Sequence, residues 1–105
     1  MKTALITGAA RGIGLATARR FLDDGWNVAL LDRDSEELVR VATGMANACA
    51  VHADVSHPDQ VGRAIEETLS RFGRLDALVN NAGVADFGPI WHAPIGWSSL
   101  IVSAS

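Results

Sequence analysis

Short apolar runs alternate with amphipathic segments along most of the chain, and this alternation constrains the fold more than any other feature of the sequence. Four runs have the length and composition of buried strands: TALI (3–6), WNVALLD (26–32), NACAVHADV (47–55) and LDALVNNAG (75–83). The segments between them carry apolar residues at helical spacing. Strands that alternate with helices of this length predict right-handed βαβ units. The sequence therefore predicts an α/β fold, with helices on both faces of a parallel sheet.

Local signals mark the ends of the predicted helices. Asp34 stands three residues before Glu37, as in a capping box, and opens the second helix. Ser56 is predicted to cap the third helix, with Pro58 in its first turn. Gly73 follows that helix, at a position where glycine commonly ends one.

Composition narrows the class of protein. A chain of 105 residues with 49% hydrophobic content buries one modest core, so we expect a single domain. The 9 basic and 12 acidic side chains give a net charge of −3 without a basic cluster, which argues against a nucleic-acid partner. No apolar run approaches the roughly 18 residues that span a bilayer, so no membrane association is predicted.

The cysteine and histidine residues indicate neither a disulfide nor a metal site. A lone Cys49 cannot form an internal disulfide, and its apolar strand favours a buried small hydrophobe over a reactive thiol. Because no leader-like segment precedes Ala4, we expect a cytoplasmic protein. His52, His57 and His92 lack the spacing of metal ligands, and no metal is assigned.

The segment TGAARGIG (7–14) joins the first predicted strand to the first helix. Gly8, Gly12 and Gly14 allow a tight turn and a close approach of the backbone to a pyrophosphate. The following helix N-terminus offers N–H groups and a positive dipole to the phosphates. Glycines also serve turns and close helix packing, but their place between a strand and a helix favours nucleotide binding.

Asp32 ends the second predicted strand, 18 residues beyond Gly14. A carboxylate at this position accepts hydrogen bonds from adenosine-ribose hydroxyls and repels a 2′-phosphate, which favours NAD over NADP. Two alternatives stay open: Asp32 can pair with Arg33 or a neighbour at the surface, and Arg11 and Arg33 can themselves attract a 2′-phosphate.

Four motifs then occur in order: TGAARGIG (7–14), LLDRD (30–34), ADV (53–55) and NNAG (80–83). Together they resemble the short-chain dehydrogenase/reductase family, over residues 1 to about 88. The four motifs resemble several branches of the family, which act on different substrates, equally well. The resemblance therefore implies a nicotinamide cofactor but does not identify a substrate. We predict a partial Rossmann-like sheet with strand order 3-2-1-4, and residues 1–88 as the N-terminal half of a dinucleotide-binding domain.

The resemblance also implies roles for single residues. In the family the acid that matches Asp32 holds the ribose, the pair that matches Asp54 and Val55 meets the adenine, and the NNAG loop closes the cofactor site. Without the family, Asp54 is a polar strand end, and Asn80 and Asn81 are Asx-turn residues. The cofactor-binding candidates are Gly8, Arg11, Gly12, Ile13, Gly14, Asp32, Arg33, Asp54, Val55, Asn80, Ala82 and Gly83.

The family's catalytic groups are missing from this sequence. Hydride transfer in the family resembles acid/base catalysis by a tyrosine, with a lysine four residues on and a serine that orients the carbonyl. The chain has no tyrosine, and its single lysine, Lys2, belongs to the first strand. We therefore assign no catalytic residue and expect a truncated, inactive NAD(H)-binding domain. The alternative is a non-enzymatic module for self-association or interaction.

The segment PIWHAPIGWSSLIVSAS (89–105) does not fit the family's next helix, because prolines and a glycine interrupt it. We favour an out-of-frame extension after Ile90. In the alternative, LIVSAS (100–105) echoes the family's fifth strand, and Ser103 or Ser105 matches the orienting serine. A chain that ends here leaves one edge of the fourth strand bare, and SLIVSA (99–104) can fold back on this edge or reach a neighbouring molecule. A homo-oligomer through this edge or the tail is expected, and the alternative is a monomer whose tail covers the exposed surface.

Overall fold

The computed structural model describes residues 1–81 and 97–103. The strands in this part are β1 (Thr3–Thr7), β2 (Asn27–Asp32), β3 (Ala48–His52), β4 (Leu75–Asn80) and β5 (Trp97–Ser103). The helices are α1 (Gly12–Asp23), α2 (Ser35–Ala42) and α3 (Pro58–Phe72). All neighbouring strands pair in parallel, in the order β3-β2-β1-β4-β5. The predicted order 3-2-1-4 is confirmed.

Strand β5 extends the sheet beyond β4. Ile101 pairs with Leu78 and Ser103 with Asn80, after a shift of register near the start of β4. A strand at this place agrees with the alternative interpretation of the tail; an out-of-frame origin concerns the coding sequence and stays a prediction. The edge of β4 that we expected to be bare is therefore paired within the chain, and Ser105 lies outside the described residues.

Each face of the sheet is covered by helices. On one face Leu5 and Leu78 pack against Val61 and Ile65 of α3. On the other face the core joins the sheet to α1 and α2, and its fully buried residues include Ala4, Ile6, Ala18, Leu30 and Leu38. Every residue of β1 and β4 is buried. Burial on both sides explains why the central strands lack polar alternation.

A buried carboxylate joins the amino ends of β1 and β4. Asp76 accepts the backbone N–H of Thr3 at 2.9 Å. It also accepts two bonds from the Arg74 guanidinium, at 2.8 and 2.6 Å. The same contact raises the pKa of Arg74. This cluster lies at the sheet edge opposite to the carboxyl ends of the strands, so it stabilises the sheet away from the site described below.

Two predicted helix starts differ from the structure. Asp34 caps α2 by accepting the Glu37 N–H at 3.3 Å, as expected. The reciprocal capping-box bond is replaced: the Asp34 N–H donates to Asp32 at 3.0 Å, and the Glu37 carboxylate binds Arg40. The prediction that Ser56 caps α3 is wrong, since His57 occupies the N-cap and the Ser56 hydroxyl binds a nearby carboxylate instead.

In the part of the chain that the structure describes, no helix is long and apolar enough to cross a membrane.

Candidate functional site

A cleft of about 270 Å³ lies at the carboxyl edge of the sheet, where β1, β2 and β3 end. In open α/β sheets this edge is where ligands bind. Five predicted site residues line the cleft: Gly8, Asp32, Arg33, Asp54 and Val55. Leu31, Ala53 and Ser56 complete the lining. The structure therefore brings together residues from three separate sequence motifs.

The glycine-rich turn leads from β1 into α1. Gly8 has a φ of 62° and Gly12 a φ of 60°, in the left-handed region that glycine adopts without strain. The first N–H groups of a helix have no intrahelical acceptor, and among the described residues no side chain caps α1 at Arg11. Ile13, in the first turn, is 71% exposed. The start of α1 thus presents backbone donors and a positive dipole end, which suit an anion.

Gly14 has a packing role that its place in the motif did not reveal. The residue is buried in the first turn of α1. A Cβ at this position would lie 2.1 Å from the Gly8 carbonyl oxygen and 2.8 Å from Asn81 Nδ2. Glycine is therefore required for α1 to approach the end of β1, which is the packing alternative that the sequence left open for this residue.

The carboxylate of Asp32 is held by two backbone groups. The Ala10 N–H donates to Oδ2 at 3.1 Å, and the Asp34 N–H donates to Oδ1 at 3.0 Å. Among the described residues no ion pair joins Asp32 to Arg33, so the structure does not show the pairing with Arg33. Each carboxylate oxygen retains acceptor capacity for a ligand, because a carboxylate has about four lone-pair sites.

Arg11 reaches across from the glycine turn to the start of α2. Its Nη2 donates to Asp34 Oδ2 at 2.6 Å. This hydrogen bond raises the pKa of Arg11 and, together with the Glu37 N–H, lowers the pKa of Asp34. Both side chains are substantially exposed, so the pair contributes little to global stability. The effect of the pair is local, because the Arg11 guanidinium in the glycine turn is already bound to Asp34.

Asp54 is oriented by the residue that was predicted to cap α3. Its Oδ1 accepts the Ser56 N–H at 2.9 Å and the Ser56 hydroxyl at 2.7 Å. These bonds lower the pKa of Asp54. The Asp54 N–H donates to Gln60 Oε1 at 2.9 Å. The end of β3 therefore places a fixed, ionised carboxylate at the cleft.

The ends of β1 and β4 are joined through Thr7. The Thr7 hydroxyl donates to Asn80 Oδ1 at 3.0 Å and accepts the Asn81 N–H at 2.9 Å. Asn80 is therefore buried beside the glycine turn. The other two candidates of this loop, Ala82 and Gly83, lie outside the described residues.

Sequence reasoning missed several contributors to the site, among them Thr7, Ala10 and Ser56. Thr7 is the first residue of the TGAARGIG motif. Its hydroxyl stands at the end of a buried strand, and this position indicated that it bonds a neighbouring strand end. Ser56 follows Asp54 by two residues, the spacing of an Asx turn, which was also readable. Ala10 acts only through its backbone N–H, and a backbone group has no signature in the sequence.

The described residues contain no group of three His, Cys, Asp or Glu side chains that could hold a metal ion. His52 Nε2–H donates to the Arg33 carbonyl at 3.0 Å. Cys49 is partly buried against the core, and burial raises the pKa of its thiol. A raised pKa disfavours the reactive thiolate, in line with the interpretation of Cys49 as a small core residue.

The fold and the cleft are those of a doubly wound, nucleotide-binding α/β domain. A family model described as short chain dehydrogenase matches residues 2–96. The chain belongs to the short-chain dehydrogenase family, as its four motifs predicted.

Named relatives and solved structures agree with this assignment. Over 90 residues the chain is 43% identical to sorbitol dehydrogenase of Cereibacter sphaeroides, covering 85% of this chain and 35% of that enzyme. Over 105 residues it is 46% identical to a short-chain dehydrogenase reductase of Arabidopsis thaliana, covering 99% of this chain and 38% of that protein. The chain spans about a third of the length of these curated relatives.

Among solved structures, the fold is similar to the 3-ketoacyl-(acyl-carrier-protein) reductase from Brucella melitensis, which was solved in complex with NADH. The TM-score is 0.75 at 48% sequence identity, and the likeness covers 79% of this chain and 34% of that one.

The contact of Gly14 leads to a stability prediction. We expect Gly14→Ala to destabilise the fold by about 1–3 kcal/mol, because the added methyl group meets the Gly8 backbone rather than a movable side chain. Gly62→Ala is the matched control: Gly62 lies within α3, and a methyl group there would meet no neighbouring described atom within 4 Å, so we expect a gain of about 0.5–1 kcal/mol. Urea unfolding measures both; equal effects would contradict the packing role.

Proposed function

We propose that this chain binds NAD(H) in preference to NADP(H), with the adenosine half of the cofactor in the cleft. One observation carries the proposal: the Asp32 carboxylate stands at the cleft beside the glycine turn, held by the N–H groups of Ala10 and Asp34. Oriented in this way, it can accept the ribose hydroxyls, and its charge opposes a 2′-phosphate.

The residues of the cleft fit the parts of this cofactor. The uncapped start of α1 offers N–H groups and a positive dipole to the pyrophosphate. Asp54 and Val55 line the cleft at the end of β3, where the family resemblance places the adenine. We assign the NNAG loop, with Asn80, Ala82 and Gly83, to the closing of the site. The NADH complex of the similar Brucella melitensis reductase supports a nicotinamide cofactor.

In the family the bound nicotinamide supplies or receives a hydride. The 105 residues contain no tyrosine, and their one lysine, Lys2, directly precedes β1 at the amino edge of the sheet. We therefore propose that residues 1–88 are the cofactor-binding half of the family's domain, and that the 105 residues alone contribute binding rather than acid/base catalysis. Cofactor recognition is thus the function that the site supports, and the substrate is left unassigned. The cytoplasm stays our proposed location.

The Asp32 assignment predicts a measurable preference. We expect the chain to bind NAD+ at micromolar to millimolar concentrations and more tightly than NADP+. Asp32→Ala should reduce the ratio of NAD+ to NADP+ affinity by about tenfold or more, since charge-assisted hydrogen bonds are lost. Calorimetric titration with both nucleotides measures the ratio.

Asp24→Ala is the control for that titration, because Asp24 follows α1 at the opposite edge of the sheet. It removes the same charge without touching the cleft, so the ratio should stay the same. Tighter NADP+ binding by the native chain, or an unaltered ratio in Asp32→Ala, would falsify the assignment.

The absence of tyrosine from the 105 residues predicts catalytic silence for this chain. With NADH and a panel of carbonyl compounds, or NAD+ and alcohols, we expect no turnover above that of the Asp32→Ala variant. NADH absorbance follows the reaction. Turnover that copurifies with the native chain and falls in the variant would show that another group in these residues acts as the acid.

A second candidate function is self-association through the sheet. The observation that favours it is the position of β5, which ends the described sheet and has β4 on one side only. An end strand offers backbone groups to a second copy, and a twofold dimer is the simplest closed product.

We expect light scattering to give twice the monomer mass at high protein concentration, and deletion of residues 91–105 to change the concentration dependence because it removes β5. A chain that is monomeric at all concentrations, with or without the deletion, contradicts this candidate. NAD+ titration of the same samples separates it from cofactor binding.

A further inference from the structure

We propose that Asp34 is a second determinant of nucleotide preference, because it engages the Arg11 guanidinium that would otherwise be available to a 2′-phosphate. The inference rests on the proposed NAD(H) function and concerns the same site. It assigns different tasks to two neighbouring acids: Asp32 meets the ribose, whereas Asp34 engages the cation that would otherwise be available to a phosphate.

Asp34 is itself firmly placed. Its N–H donates to Asp32 Oδ1 at 3.0 Å, and its own Oδ1 accepts the Glu37 N–H at the start of α2. The second oxygen, Oδ2, is thereby directed away from the helix and receives Arg11 Nη2 at 2.6 Å. Residue 34 is therefore held at its backbone N–H and at Oδ1, and its Oδ2 pairs with the more exposed Arg11 side chain.

Two other arginines, Arg40 and Arg33, are placed differently. Arg40 is engaged by Glu37 one turn along α2. Arg33 lines the cleft directly after Asp32. Arg11 belongs to the glycine turn that faces the phosphates, and an arginine near the ribose is the usual partner of a 2′-phosphate. Release of Arg11 would thus supply what an NADP site needs.

The size of the effect follows from exposure. The side chains of Arg11 and Asp34 are 67% and 42% exposed, and exposed ion pairs change an equilibrium by a factor of about five at most. Removal of the Asp34 charge should therefore raise NADP+ affinity by about threefold to fivefold, which is smaller than the effect of Asp32. Since Asp34 acts through Arg11, substitutions of these two residues should be coupled.

The test is a double-mutant cycle on the full chain, read by calorimetric titration with NADP+ and NAD+. Asp34→Ser keeps an oxygen that caps α2 and removes the charge. We expect it to raise NADP+ affinity threefold to fivefold, and by more than it changes NAD+ affinity. Adding Arg11→Gln should remove that gain, because the released guanidinium is what binds the phosphate.

Asp24→Ser is the matched control. Arg20 and Asp24 form an exposed pair of the same type, 3.1 Å apart, at the far end of α1. This substitution changes the net charge equally and should leave both affinities as they are. Asp34→Asn provides a second variant that retains a capping oxygen, and circular dichroism shows whether each variant is folded.

The outcomes separate the two proposals. A gain in NADP+ affinity that persists with Arg11→Gln means that Asp34 acts through its charge alone, and overturns the inference. No gain in either Asp34 variant, with NAD+ binding retained, overturns it as well but leaves the proposed function standing. Failure of the native chain to bind NAD+ overturns both.

Discussion

The contact between Gly14 and the Gly8 carbonyl sets the position of helix α1, and the candidate site depends on it. Any larger residue at position 14 would meet backbone at 2.1 Å, so α1 can lie against the end of β1 only with glycine there. This closeness brings the uncapped start of α1 to the carboxyl edge of the sheet. The exposure of backbone donors at this edge is therefore a consequence of packing.

A second constraint is that one side chain, Asp32, holds two loops around the cleft together. Asp32 accepts one N–H from the glycine turn and another from the start of α2. It thus connects the same two loops that the Arg11–Asp34 pair joins, and it keeps acceptor capacity at the cleft. The same carboxylate therefore stabilises the two loops and lines the cleft.

Much of the architecture could be predicted because its signals are local. The alternation of buried strands and amphipathic helices, the cap of Asp34 on α2 and the C-terminal Gly73 all depend on residues within a few positions. The predictions that failed concern hydrogen-bonding groups for which two partners compete. Ser56 bonds to Asp54 instead of capping α3, and the capping box of α2 is left half formed because Asp32 takes the Asp34 N–H.

The sequence by itself determined the family, the parallel α/β sheet and the glycines of the turn, since each follows from periodicity or from a short motif. Only the tertiary structure decided which side chains meet. Arg11 and Asp34 are 23 positions apart, and Thr7 and Asn80 are 73 apart. Parallel pairing brings the carboxyl ends of strands that are distant in sequence to one edge. Such contacts depend on strand register and side-chain geometry, which no local pattern specifies.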